Sequence, residues 1–222
     1  MFKLTFKQQV LTGFTVSLLF VLVSAITSYF SIDKMNSDTK WQSHTYDVIS
    51  LVKDIEAQVL NSETGARGFI LAGKSAYLSP YKKNSTRILP AIQELKRAVS
   101  DNPAQEILID SLDYYAHEKV DEMKVVLRLY ETEGKDAATT RIMSGPAQSF
   151  KNKILDLSGK IIDTEKLLLV KRKGDAAKSS MQSKLIVLIS AFIIFCLILF
   201  LFSYIRRTFD QQKETENKKH LQ

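Results

Sequence analysis

Two stretches without a charged side chain constrain this chain more than anything else in it: residues 10–32 and 185–204. Each is about 20 residues long, the length a helix needs to cross the hydrocarbon of a bilayer. A helix can do so because it satisfies its own backbone hydrogen bonds. The pattern predicts two transmembrane helices with residues 33–184 between them. Lys3 and Lys7 flank the first stretch, and Arg206 and Arg207 close the second. Basic residues favour the cytoplasmic side, so 1–9 and 205–222 are expected inside the cell and 33–184 outside it. A cleaved signal peptide ending at Val23-Ser24-Ala25 is the competing reading of the first stretch. Against it, apolar residues continue past Ala25 through Ile26, Tyr29, Phe30 and Ile32.

The formal charge of +7 belongs to the ends. Seven of the 31 Lys and Arg residues, but three of the 24 Asp and Glu residues, lie in the terminal segments. The middle is nearly balanced and carries no basic stripe, which argues against nucleic acid as a partner. The single cysteine, Cys196, sits inside the second apolar stretch. No disulfide can form within the chain, and the region between the spans must be held by its core.

That region is helical by pattern. Val48, Leu51, Val52, Ile55 and Val59 recur at helical spacing, and neither Gly nor Pro occurs from residue 14 to 64. The first helix is therefore expected to run from the membrane to Ala72. A second covers 75–99 with Ser75 as N-cap and a kink at Pro90. Asp101-Asn102-Pro103 reads as a stop and a restart with proline in the first helical position. A third helix reaches Thr132 and buries Ile109, Leu112, Ala116, Met123, Leu127 and Tyr130. Gly134 ends it, a short helix follows over 135–143, and a fourth long one starts near Pro146. This last helix presents Phe150, Ile154, Leu157, Ile161 and Leu168 before running into the second span. Short connections make neighbouring helices antiparallel. The expected fold is all-α: an up-down-up-down four-helix bundle, extracytoplasmic, flanked by two transmembrane helices.

One stretch breaks the helical rules. Gly65 and Gly68 enter the first helix at about 1 kcal/mol each relative to alanine, a cost that fits close backbone packing. Gly73 then supplies a C-cap. Glu63 and Arg67, four residues apart, share one helix face.

This stretch, Glu63-Thr64-Gly65-Ala66-Arg67-Gly68-Phe69-Ile70-Leu71-Ala72-Gly73, is preceded by His44-Thr45-Tyr46-Asp47-Val48. It is followed by Tyr77-Leu78-Ser79-Pro80-Tyr81 and by Asp101-Asn102-Pro103-Ala104-Gln105. The four pieces, in this order, resemble the signature of the type-three CHASE domains over roughly residues 41–178. These are extracytoplasmic sensory modules associated with cyclases and histidine kinases. The resemblance marks His44, Thr45, Glu63, Thr64, Gly65, Arg67, Gly68, Phe69, Gly73, Tyr77, Leu78, Pro80, Tyr81, Asp101, Asn102, Pro103 and Gln105 as signature residues. Ala72 stands where the pattern has Thr, and Ile142-Met143-Ser144-Gly145-Pro146 replaces a Gly-rich turn that usually lacks proline.

Chemistry is sparse. His44, His117 and His220 show no metal-ligand spacing, and His220 lacks the flanking acid of a phospho-accepting histidine. No catalytic residue, cofactor or metal is expected. Glu63 and Arg67 read either as a polar switch or, preferably, as an ion pair fixing the packing. Tyr114, Tyr115 and Tyr130 read as groove fillers rather than the frame of a ligand. Lys171-Arg172-Lys173 reads as a solvated face. Asn84-Ser85-Thr86 matches a glycosylation acceptor by pattern only.

The expected function is a membrane-bound input module of bacterial two-component signalling that passes a stimulus through the second span. The resemblance implies an output, a histidine kinase or similar domain, in cis beyond residue 222 or in a separate protein. A homodimer in the inner membrane is expected, with Val48, Ile55 and Val59 as its seam. The alternative is a membrane-anchored bundle that binds a partner without signalling output.

Overall fold

The computed structural model describes residues 6–100 and 102–219, and the side chains of these except at 6, 7, 9 and 212–219. Lys3, Asp101 and His220 lie outside the described residues. The elements are α1 (Phe6–Ala72), a 3-10 turn (Ser75–Tyr77), α2 (Leu78–Ala98), α3 (Pro103–Thr132), α4 (Lys135–Ser144) and α5 (Ala147–Lys219). The chain divides into two compact units, one comprising Met1–Lys40 with Lys173–Gln222, the other Trp41–Arg172.

Within Trp41–Arg172, four helices share one aliphatic core. α1 contributes Val48, Val52, Ile55 and Val59, and α2 contributes Ile88, Ile92 and Leu95. α3 adds Ile109, Leu112, Ala116, Val120 and Met123, and α5 adds Ile154, Leu157, Ile161 and Ile162. Steps of three and four residues along each helix keep these side chains on a single stripe. Each fully buried aliphatic contributes about 1.5–3 kcal/mol relative to exposure.

Side-chain pairs set the register. Lys96 meets Asp110 at 2.5 Å, and three residues back on α2 Gln93 meets Asp113, three residues on along α3. Gln105 near the start of α3 reaches Glu165 of α5, while Lys119 reaches Ala147 at the α5 N-terminus. On α1, Thr45 pairs with Arg172 and Glu63 with Lys151. Every neighbouring pair runs antiparallel, so the unit is an up-down-up-down bundle. α4 lies beside this arrangement: its Ala138 joins Ile70 and Val126 in a second small core at the α1–α2 end.

The helix ends follow local chemistry, with one correction. Gly73 has φ +65° and donates its N–H to Phe69 O at 2.8 Å, the left-handed stop expected there. Gly134, at φ +93°, ends α3 in the same left-handed half of backbone space. Ser75, expected to cap α2, does not. It opens the 3-10 turn instead, and α2 starts after Tyr77 without a side-chain cap. The turn places Tyr77 against Gly68 and thereby moves the helix start three residues on. Asn102 occupies the N-cap position of α3 with Pro103 at its first turn, but caps through its carbonyl, which accepts from Gln105 and Glu106. α2 continues through Pro90 on its exposed side.

The homodimer seam read from α1 is overturned. Val48, Ile55 and Val59 are fully buried within the bundle of this one chain, because three neighbouring helices rather than one cover that face.

The other unit has the opposite character. Its α1 and α5 segments are long and apolar enough to cross a membrane, and the most apolar window of each has none of its residues buried. Phe14, Leu18, Leu188 and Phe192 all stand exposed. Polar side chains here turn back on their own helix. Thr12, Thr15, Thr27 and Ser190 each donate to the carbonyl four residues earlier at 2.7–2.9 Å. That arrangement leaves no hydroxyl proton for a solvent that cannot accept one. A Cβ on Gly13 would stand 2.6 Å from Leu201 Cδ2, so the two helices of this unit meet closely there. They frame a cavity of about 490 Å³ lined by Ser31, Ile32, Met35, Ser183 and Val187 among others.

Candidate functional site

The α1–α2 end of the bundle holds one carboxylate among three cations. Glu63 projects from the last third of α1 into the bundle and is 6% exposed. Arg67, one turn on, places Nη2 2.6 Å from Glu63 Oε1. Lys119 of α3 approaches Oε2 at 3.0 Å, and Lys151 of α5 approaches Oε1 at 3.6 Å. A single carboxylate thus joins three helices. The pair read from sequence is half of this arrangement. Arg67 reaches solvent with 39% of its side chain, whereas that of Lys119 is only 1% exposed and also donates to Ala147 O at 3.0 Å. Burial pushes the Lys119 ammonium below the ordinary lysine value; Glu63 opposes the shift, and Arg67 and Lys151 reinforce it.

Lys119 carries a signal in the sequence itself. It lies three residues after Ala116 and four before Met123, on the same helical face as the core of α3. Glu122, one turn along, is buried and clamped by Arg141 of α4 through two contacts of 2.7 Å, Nε to Oε1 and Nη2 to Oε2. A Cβ on Gly145 would stand 3.0 Å from Glu122 Oε1. The Ser144-Gly145-Pro146 segment that departs from the resembling pattern is therefore fitted to this clamp.

The glycines admit the chain around Tyr77. A Cβ on Gly65 would lie 2.7 Å from the Tyr81 backbone nitrogen and 2.9 Å from Tyr77 O. On Gly68 it would lie 2.7 Å from the Tyr77 ring. Phe69, on the next position, packs its ring on Tyr130 at 4.9 Å. Pro80 approaches Gly65, Leu78 and Tyr81 are half-buried, and Thr64 is exposed. The close packing expected of the two glycines is present, and its partner is the turn that follows them.

At the opposite end, Thr45 is fully buried and accepts from Arg172 Nη1 at 2.6 Å. The same guanidinium donates to Trp41 O at 3.2 Å and lies 4.7 Å from the centre of the Trp41 ring. His44 meets that ring edge-on at 5.6 Å. Arg172 is thus no member of a solvated face: its length lets it cross to α1, while Lys171 and Lys173 stay exposed. Gln105, the last signature residue, is buried and donates to Glu165 Oε1 at 2.7 Å, tying α3 to α5.

The tyrosines do not frame one site. Tyr114 and Tyr115 contact each other, Tyr115 faces Phe150, and Tyr130 belongs to the second small core. Among the described residues no group of three His, Cys, Asp or Glu side chains is placed to hold a metal ion. The described signature residues therefore gather at the two ends of the bundle. There they fasten α1 to α2, α3 and α5 by close approach and buried polar contact.

Comparison with known proteins agrees with that picture. Neither a curated protein nor a solved structure matches the chain. The model of one family does, the CHASE3 domain, and it covers residues 38–175, well over half of the chain. The family is one of sensory input modules in signal transduction. The chain, its signature residues binding four helices into one bundle, belongs to the CHASE3 domain family.

Proposed function

We propose that this protein is the membrane-bound input module of a bacterial two-component system, with residues 33–184 outside the inner membrane and both ends in the cytoplasm. The observation that carries the reading is the order along the chain. The CHASE3 match over 38–175 lies between two segments long and apolar enough to cross a membrane. Lys3, Lys7, Arg206 and Arg207 support the orientation. The bilayer is then the first partner. A histidine kinase or comparable output, in cis or in trans, is the second, and a homodimer is the working assembly.

A stimulus outside would move α5. This helix is unbroken from Ala147 to Lys219 and is fastened to α1 by the Arg172 contacts. A helix cannot lengthen without breaking hydrogen bonds, so displacement at one end travels as a shift, tilt or rotation. Ser43→Cys and Gln212→Cys, each in a Cys196→Ser background, should label from opposite sides of the membrane. Labelling of both from outside overturns the topology. In a fusion to a kinase output, Gly174→Pro should abolish the response while the bundle stays folded, because proline interrupts the helix. A wild-type response from that variant would rule out rigid transmission through this helix. The second reading is a membrane-anchored, partner-binding bundle without signalling output. That reading draws support from the signature residues that serve helix packing, such as Gly65, Gly68 and Gln105.

A further inference from the structure

The cavity between the two long apolar segments straddles a boundary in the chain. Ser28 and Ile32 of α1, with Val187 and Leu188 of α5, belong to the uncharged stretches 10–32 and 185–204. Asp38 and Ser180 line the same space beyond the ends of those stretches. Its volume, about 490 Å³, falls in the range of about 300–1,000 Å³ usual for small-molecule sites. On the two-span reading proposed above, on which this inference rests, the cavity lies where lipid head groups meet their tails.

The polar groups of the lining are open. Thr27, Ser183 and Ser190 each donate to the carbonyl four residues earlier on their own helix. Ser28, Ser31 and Ser180 line the cavity, and among the described residues their hydroxyls have no such partner. Asp38 and Lys184 line it as well, and no ion pair of either is seen among the described residues. The segments of α1 and α5 run antiparallel here, since Gly13 meets Leu201 while Ile32 and Ser183 flank one cavity. Asp38 is 25 residues on from Gly13 and Lys184 is 17 back from Leu201, which places Asp38 about 12 Å further along the pair. Each Cα–Cβ bond tilts toward its helix N-terminus, so in antiparallel helices these two side chains lean toward each other. One carboxylate and one ammonium therefore bracket a serine-lined gap whose far end, at Val187 and Leu188, is apolar.

We propose that this cavity holds one aminophospholipid, a lipid whose head group carries both a phosphate and a primary ammonium. Lys184, nearer the apolar end, pairs with the phosphate, and Asp38 accepts from the ammonium. The free serine hydroxyls donate to phosphate and ester oxygens. The first part of one acyl chain covers Ile32, Val187 and Leu188, and the rest stays in the bilayer. An anionic head group would leave Asp38 without a cation, and a quaternary ammonium has no N–H to give it.

The test is native mass spectrometry of the full chain in detergent, given equal amounts of phosphatidylethanolamine, phosphatidylcholine and phosphatidylglycerol. One phosphatidylethanolamine per chain should be retained over either competitor by about fivefold. Asp38→Asn should remove that preference, and Lys184→Gln should lower retention of all three lipids. No retained lipid, equal retention of the three, or a preference that survives Asp38→Asn overturns the proposal. So does a lipid-free dimer that both single variants weaken and that Asp38→Lys combined with Lys184→Asp restores, because the groove then takes a second copy. That exchange cannot restore lipid selectivity, since the phosphate always lies on the membrane side of the ammonium. The Ser43→Cys and Gln212→Cys labelling reads topology separately, so a missing lipid preference leaves the two-span reading standing.

Discussion

The two ends of the bundle each bury a glutamate, and they treat it in opposite ways. At the α1–α2 end Glu63 is surrounded by three cations drawn from three helices. At the α2–α3 end Glu165, 4% exposed, has the Gln105 amide at 2.7 Å, and no ion pair involving it is seen among the described residues. The first arrangement is a long-range electrostatic junction in which each partner is costly to lose. The second is a local hydrogen bond between two helices. Packing differs in the same sense. The Glu63 end brings backbone against backbone at Gly65, while the other end relies on one long side chain, Arg172, reaching across to Trp41 and Thr45. The end with the turn, the glycines and α4 is fastened by backbone approach and by charge, and the other end by a few long side chains.

The largest expected effect tests the electrostatic half of that contrast. Glu63→Gln removes the carboxylate and leaves Lys119 charged and buried without its counter-charge. The full chain should lose about 3–5 kcal/mol in thermal or denaturant unfolding. A loss below about 1 kcal/mol would show that solvent reaching Arg67 already compensates the cluster.

Next come the glycines. Gly65→Ala sets a methyl against the backbone of Tyr77 and Tyr81, which cannot move without shifting α2, and should cost about 1–3 kcal/mol. Gly68→Ala meets only the ring of Tyr77, an exposed side chain that can turn away, and should cost clearly less. Equal costs, measured by unfolding midpoints of the two variants, would break the distinction between backbone and side-chain contact.

The pH dependence follows from the depressed Lys119 value. In the window between its folded value and the ordinary 10.5, the unfolded chain binds the proton and the folded chain does not. Stability should therefore rise with pH through that window relative to Lys119→Met, and the penalty of the buried charge is fully present below it. A flat difference between the two proteins across alkaline pH would mean that Glu63 holds the ammonium at its ordinary affinity.

The smallest effect is expected at the other glutamate. Glu165→Gln keeps an acceptor for Gln105 and removes no partner from a cation, so its unfolding free energy should stay within about 1 kcal/mol of wild type. A loss as large as that of Glu63→Gln would erase the contrast between the ends.

Much of this molecule was legible in the chain because helices write their burial into residue spacing. The stripe of Val48, Val52, Ile55 and Val59, the positive-φ glycine at 73 and the proline at 103 are local facts. A helix with one apolar face, a stop and a short connection leaves few folds other than an antiparallel bundle. The same holds for the two uncharged stretches, whose length and composition alone make them long and apolar enough to cross a membrane. Tertiary structure decided everything that depends on which helices face each other. Spacing placed Glu63 beside Arg67 but says nothing of Lys119 and Lys151, which lie 56 and 88 positions further along the chain. Nor could the chain show that Val48, Ile55 and Val59 are consumed within one subunit, since an apolar stripe looks the same whichever surface covers it. Arg172 read as a solvated residue because its neighbours are. Only the antiparallel register of α1 and α5 brings Thr45 and Trp41 within reach of its guanidinium. Periodicity is a property of one helix; charge compensation and close approach are properties of pairs, and pairs exist only once the chain is folded.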